Sequence, residues 1–301
     1  MVPLDDKDTP EKQLEEILSE TGYPVELEVA STLEGLKWAV TNNAYFLDSD
    51  ENKEREVDIL AFCEPPGPRV AESFGFYPSL ICECKKSTNY DWVFFTRANR
   101  PYFLGGESMH GMLSRGQIFD APKLASRGDS GDPTPLSLVT PLVPLHYFSF
   151  ERIASTYCEV NPVKKGTKDA IKDNEIRDAI YKTIKACAYY QERTLDSSAK
   201  AASPYFPIEV TFLVMVLDGK LVEALVDGGH VRVQKTDHML LEKSYRPKYH
   251  REEIEYVIDV VTKSYFSSYM KMVERDTSLL WEHLLQYKTD LESYLRKPSN
   301  T

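Results

Sequence analysis

Cysteine, long apolar runs and net positive charge are all scarce in this 301-residue chain. Its five cysteines are an odd number without a framework spacing, which argues against structural disulfides. No apolar run reaches the length of a membrane span, so no membrane partner is expected. The start, Met1-Val2-Pro3-Leu4-Asp5-Asp6, lacks the basic-then-apolar layout of a signal peptide, so a cytoplasmic location is expected. There is no Gly-rich phosphate loop, so no nucleotide cofactor is expected. The six histidines form no His-x-x-x-His pair and none adjoins a nucleophilic serine. No internal repeat or heptad array is visible.

The net charge of −11 is unevenly spread. Residues 1–64 hold 17 acids against 5 bases, a net −12, and the remaining residues are close to neutral. Residues 85–127 are locally basic, with Lys85, Lys86, Arg97, Arg100, Arg115, Lys123 and Arg127 against Asp91, Glu107 and Asp120. Such a patch attracts phosphates even on an acidic molecule, although long-range steering is poor. Apolar content of 42% is ordinary, so a packed core is expected.

Periodicity supplies the element order. Residues 11–20 read as an amphipathic helix, with Leu14, Ile17 and Leu18 on one face and Gly22 placed to stop it. Residues 25–29 read as a short strand, and 35–47 as strand with a turn at Asn42-Asn43. Residues 48–55 form a charged loop before two motif strands, 56–63 and 79–85. Residues 88–145 read as an insertion, and 143–150 as a strand. A helix is predicted over 173–193, from Ile176, Ile180, Ile184 and Ala188. The near-continuous apolar run 207–217 predicts a buried strand. Asp218-Gly219 and Asp227-Gly228-Gly229 both predict hairpin turns. A strand over 256–261 and one or two amphipathic helices over 264–294 close the chain. The whole predicts an α/β fold, a mixed central β-sheet flanked by α-helices, with an insertion after the motif hairpin.

The motif strands carry the chemistry. Arg55-Glu56-Val57-Asp58-Ile59-Leu60 and Leu80-Ile81-Cys82-Glu83-Cys84-Lys85 are apolar runs with ionisable groups set into them. An ionisable group in a half-buried strand is costly unless it has a partner or a metal. Alternation sends Glu83 and Lys85 to one face and Cys82 and Cys84 to the other. If the two runs pair, Asp58, Glu83 and Lys85 converge. Two carboxylates and an ammonium suit a hard divalent cation and an activated water. Cys82 and Cys84 are expected to be small core groups, since Cys-x-Cys is not the usual structural zinc spacing.

Asp58 followed by Glu83-x-Lys85 on the next strand resembles the signature of the PD-(D/E)XK nuclease superfamily, closest to its Mrr-like branch. The resemblance covers residues 11–87, and the rest by element order. Val57 stands where the signature has proline. The resemblance implies a restriction-endonuclease-like fold in a single domain over 1–301, with a core about 11–87 and 146–295 and an insertion about 88–145. It implies an Mg2+-dependent nuclease, with Mn2+ able to substitute. Metal ligands would be Asp58, Glu83 and the backbone carbonyl of Cys84, and Lys85 would orient or deprotonate the attacking water. A helix-borne acid often completes this family's site, and Glu16 is the choice among Glu15, Glu16 and Glu20. Glu56, on the same strand as Asp58, is a further candidate for the metal or for a rim ion pair.

The expected substrate is nucleic acid, with DNA favoured and a role in defence against foreign DNA among those the family suggests. Lys86, Arg97, Arg100 and Arg115 are the candidate nucleic-acid contacts. Tyr90, Trp92, Phe94 and Phe95 read either as a stacking surface or as a small core under the insertion. Homodimerisation is an expectation by analogy with enzymes that cut both strands. The competing expectation, from the acidic charge, is a catalytically inactive member of the fold that binds nucleic acid or protein.

Overall fold

The structure is a computed structural model that describes residues 9–64, 74–97, 113–114, 145–167, 170–200, 206–246, 253–286 and 288–289. Its centre is a mixed β-sheet. In spatial order the strands are β1 (Ala39–Asp48), β2 (Lys53–Phe62), β3 (Phe74–Lys86), β8 (Phe206–Asp218), β12 (Ile254–Thr262) and β11 (His238–Tyr245). The first three pair antiparallel, β3–β8 and β8–β12 are parallel, and β12–β11 is antiparallel. The short β5 (Leu113–Ser114) adds to β8.

Helices cover both faces of this sheet. Helix α2 (Tyr23–Gly35) and helix α4 (Phe266–Gln286) lie on one face; α3 (Asn174–Lys200) lies on the other. The period of two is clean in β8, where Val210, Phe212, Val214 and Val216 enter the α2/α4 layer and Leu213, Met215 and Leu217 the α3 layer. This double burial explains the unbroken apolar run. In β3, Cys82 and Cys84 join the α2/α4 layer as buried free thiols, while Ile81 faces α3. Among the described residues no helix is long and apolar enough to cross a membrane.

A second sheet has the order β10 (His230–Lys235), β9 (Leu221–Asp227), β4 (Asp91–Arg97), β6 (Thr156–Val160) and β7 (Ile171–Lys172). The parallel pair β3–β8 feeds directly into the parallel pair β4–β9. At the crossing, Ser87 N–H donates to the Asp218 carbonyl at 3.0 Å and Trp92 N–H to the Lys220 carbonyl at 2.9 Å. Asp218-Gly219 is therefore not a hairpin turn as expected, but the point where the chain passes between sheets. The turn signal misleads because Gly219 is required for close approach, not for a tight reversal. Asp227-Gly228-Gly229 is the expected hairpin, with φ of 56° and 84° at the two glycines.

Other expectations shift. Residues 25–29 are helical, not a strand. Val25, Leu27 and Val29 alternate with Glu26 and Glu28, but the buried set is Val25, Val29, Ala30 and Leu33, a helical stripe that leaves Leu27 exposed. Gly22 precedes α2 instead of ending helix α1 (Pro10–Ser19). Leu14, Ile17 and Leu18 of α1 are all exposed. Asn43 takes a left-handed φ of 50° within the continuous strand β1, so the expected turn is only a local irregularity. His146–Ser149, expected as strand, is a 3-10 turn. Asp91–Arg97, assigned to the insertion, is the middle strand of the second sheet, and Trp92 and Phe94 are fully buried core. Trp92 and Phe94 thus belong to the main core on the α3 side and not to a small core under the insertion, while Tyr90 and Phe95 are half-buried. Most of the remaining insertion lies outside the described residues.

A Cβ at Gly219 would stand 2.7 Å from the Ser87 carbonyl oxygen, a backbone atom that cannot move aside without breaking the sheet crossing. Gly219→Ala is expected to cost about 1–3 kcal/mol, the usual range for an overpacked site. Urea denaturation of the two proteins measures it.

Candidate metal and active site

The ladder between β2 and β3 ends at the Ile59–Cys82 pair. Beyond it, the Asp58 carboxylate takes over the role of ladder acceptor: its Oδ2 accepts the Cys84 backbone N–H at 2.8 Å. The strand end thus fixes the side chain of Asp58 against β3. Glu83, on the central strand β3, has no solvent exposure. Its Oε1 accepts from Lys85 Nζ at 2.5 Å and from Lys182 Nζ at 2.8 Å. Lys182 also donates to Asp58 Oδ1 at 2.9 Å. Lys85 Nζ lies 4.0 Å from Asp58 Oδ2 and donates to the Cys84 carbonyl at 3.3 Å. Asp58, Glu83 and Lys85 therefore converge as alternation requires.

Lys182 joins the cluster without a local signal in the sequence. It comes from α3, at the edge of the stripe formed by Ile176, Ala179, Ile180 and Ile184. A lysine beside an apolar stripe normally reaches solvent, so only its neighbours across the sheet reveal its role. Two ammoniums and two carboxylates leave the cluster formally neutral. One polar atom stays unsatisfied: Glu83 Oε2 is buried and has no hydrogen-bond partner.

The electrostatics follow from burial. Burial raises the Glu83 pKa; Lys85 pulls it down, Asp58 pushes it up, and Lys182 pulls it down, leaving it above the ordinary glutamate value. Burial disfavours the Lys85 charge, but Glu83 and Asp58 outweigh it and hold the pKa above the ordinary lysine value. Lys182 is raised for the same reasons. The two carboxylates therefore favour the ammonium form of both lysines.

The helix-borne acid near this cluster is Glu26 of α2, not Glu16. Burial raises the Glu26 pKa, and Asp58, Lys85, Glu83 and Lys182 all act on it. Glu16 sits on exposed α1. As a strand, 25–29 would not present Glu26 to the cluster; as part of α2 it does. Glu56 is exposed and its carboxylate accepts a hydrogen bond from the Tyr45 hydroxyl across the β1–β2 pair, away from the cluster. Lys86 donates to the Ser19 carbonyl and so caps the C-terminal end of α1. Arg97 is exposed at the end of β4; Arg100 and Arg115 lie outside the described residues.

The cluster opens on a cleft of about 740 Å³ between the sheet and α3. Glu83, Lys85 and Lys182 line one part of it, and Asp48, Asp50, Glu51, Arg55, Lys185 and Tyr245 line another. Asp48 is the second buried anchor. Its carboxylate accepts from Lys185 Nζ at 2.8 Å and 3.0 Å, Arg55 Nε at 2.9 Å and the Asp50 amide at 3.1 Å. Residues 48–55 are thus more than a charged loop: β1 ends on Asp48, and its carboxylate organises the turn into β2. Lys182 and Lys185, three residues apart on α3, grip the two strand pairs from one helix face.

The donor set fits a hard divalent cation. One ammonium already touches both carboxylates, so a single cation can bridge them, and Glu83 Oε2 is an acceptor lacking a donor. No family model, curated protein or solved structure matches this chain.

Asp48 gives a pH test. Burial opposes its charge, but the Lys185 ammonium and the Asp50 and Glu51 amides hold its pKa below the ordinary aspartate value. Its stabilising contribution is complete above the unfolded value of about 4 and is lost as pH falls through the lower folded value. Asp48→Asn is expected to flatten the acid limb of stability against pH. Denaturant midpoints measured from neutral to acidic pH check this.

Proposed function

We propose that this chain is an Mg2+-dependent phosphodiesterase of the restriction-endonuclease-like fold that hydrolyses a nucleic-acid backbone, DNA in the first instance. The observation that carries the reading is Lys182 Nζ, 2.9 Å from Asp58 Oδ1 and 2.8 Å from Glu83 Oε1. Two strand-borne carboxylates that share one cation beside Lys85, with Glu83 and Lys85 lining a cleft, suit metal-assisted phosphoryl chemistry. Asp58, Glu83 and the Cys84 carbonyl would hold Mg2+, with Mn2+ as a substitute. The ion when bound supplies charge neutralisation at the phosphate and an acidified water.

The residues of the chain do the rest. Glu83, fixed in the middle of a rigid sheet, sets the position of the ligand pair. The Asp58 bond to the Cys84 amide keeps the second carboxylate in register. Lys85, held as an ammonium by Glu83 and Asp58, donates to the attacking water or to a phosphoryl oxygen and offsets charge developing there. Lys182 neutralises both carboxylates before loading and competes with a divalent cation for the same oxygens. Glu26 adds negative potential from the α2 side and favours a cation at this spot.

The same ammonium supports a second reading. Lys182 and Lys85 neutralise Asp58 and Glu83 without any metal. Among the cleft residues the acids Asp48, Asp50, Glu51, Glu83, Glu175 and Asp178 outnumber Arg55, Lys85, Lys182 and Lys185. A non-catalytic module that kept the charge cluster as a structural anchor would have these features, and it would show no carboxylate-dependent Mg2+ binding.

Incubation of plasmid with purified protein and Mg2+ tests the first reading. The parent is expected to cleave, and Asp58→Asn and Lys85→Met each to lose at least about a hundredfold in rate, the usual cost of removing a preorganised electrostatic group. Cleavage unchanged in both variants overturns the assignment.

Lys182→Met is expected to lower the Mg2+ concentration needed for half-maximal binding by about tenfold. It removes a positive charge whose repulsion of a doubly charged ion at ~4 Å is about 2 kcal/mol even at the dielectric of water. Calorimetric titration with Mg2+ reads the shift, and absence of Mg2+ binding in both proteins favours the non-catalytic module.

A further inference from the structure

On the α2/α4 side of the sheet lies a second polar cluster that the proposed hydrolysis does not use. Asp259 sits in the middle of β12, fully buried in an otherwise apolar strand. His238 Nε2, from the start of β11, is 2.7 Å from Asp259 Oδ1, and His146 Nε2, from the 3-10 turn, is 3.1 Å from the same oxygen. The three atoms all lie within 4.8 Å of one another. We propose that His146, His238 and Asp259 form a zinc site that pins the 3-10 turn to β11, β12 and α4.

The ligand chemistry selects the metal class. Two imidazole nitrogens and one carboxylate oxygen suit Zn2+ and are a poor set for Mg2+ or Ca2+, which take oxygen donors. Tetrahedral ligands at zinc distances stand about 3.3 Å apart, close to the two nitrogen–oxygen separations here. A small outward movement of each ligand accommodates the ion, which replaces the protons between the two Nε2 atoms and Oδ1.

The surroundings are those of a metal site. His146 Nδ1 meets Asp276 Oδ2 at 2.6 Å, a carboxylate–histidine pair that turns Nε2 toward the centre. Asp276 is itself fixed, accepting the His146 backbone N–H at 2.7 Å through Oδ2 and Arg275 Nη2 at 2.7 Å through Oδ1. The other oxygen of Asp259 accepts from the Tyr147 hydroxyl at 2.9 Å and the Tyr269 hydroxyl at 3.1 Å. Oδ1 is thereby left facing the two imidazoles. The side chain of His238 keeps 7% exposure, so the cluster reaches solvent at that rim and a water can complete the coordination. A site this enclosed serves structure, not turnover.

The test uses the full-length chain, stripped of metal and kept in excess Mg2+ so that hard-cation sites are saturated. Calorimetric titration with Zn2+ is expected to show one equivalent bound. His238→Gln, at the rim, is expected to weaken it by at least about a hundredfold, and Asp276→Asn, which holds His146 but supplies no ligand atom, by about 10–100-fold. A chelator should lower the thermal midpoint of the parent and leave His238→Gln unmoved. Co2+ added to the parent should give the intense visible ligand-field absorption of a four-coordinate nitrogen–oxygen site, a readout that needs no variant. No Zn2+ uptake by the parent, or uptake equal in His238→Gln, overturns the proposal and leaves the cluster as a histidine–carboxylate anchor.

Discussion

The parallel ladder between β3 and β8 organises the rest of the molecule. Both strands are 13 residues long and they pair in register along their whole length. Because helices cover both faces, most side chains on this pair, among those described, are removed from water. Each large apolar one contributes roughly 1.5–3 kcal/mol. The ladder's continuation into β4 and β9 carries that rigidity into the second sheet. Glu83 stands on this pair, so its carboxylate has almost no freedom to move.

That placement explains the charge arrangement. A buried carboxylate is costly, and its cost is offset only by partners delivered with good geometry. The chain delivers two of them, Lys85 from the same strand face and Lys182 from α3; Asp58, at the splayed end of β2, adds a like charge and shares Lys182 with Glu83. The four charges cancel, yet Glu83 Oε2 remains without a hydrogen-bond partner. In the proposed nuclease this is a site held ready for a cation, with lysines occupying the position in its absence. Glu26 and the acidic residues along the cleft reinforce the preference for positive charge. The polyanionic substrate would then meet a cleft whose attraction depends on the bound ion more than on the protein's own surface.

The two faces of the sheet have divided the polar chemistry between them. The α3 face carries the lysine–carboxylate cluster and opens on a cleft. The α2/α4 face carries Asp259 with two imidazoles and two tyrosine hydroxyls, closed in by aromatic rings such as Phe150 and Tyr269, which pack edge-on against His238. Accessibility separates a site suited to exchange with solvent from one suited to holding elements together.

Local pattern alone placed Asp58, Glu83 and Lys85 on converging strands, because a period of two and an acid inside an apolar run are both properties of a few adjacent residues. It also assigned α3, β8, β12 and α4, whose periodicity is long and regular, and it sent Cys82 and Cys84 to the opposite face. It misjudged 25–29, where five residues satisfy both periods and only the packing of Val29 and Leu33 decides, and with them it lost Glu26. Lys182 and the His146–Asp259 pair lie far from their partners along the chain, 124 and 113 residues respectively. No local signal marks such groups, since a helix-edge lysine and scattered histidines look like ordinary surface. Which strands carry charge, and which way their side chains face, follows from the pattern of adjacent residues. Which cations and imidazoles meet those charges was decided by the tertiary structure, because only the stacking of helices on the sheet fixes distances between residues so remote in the chain.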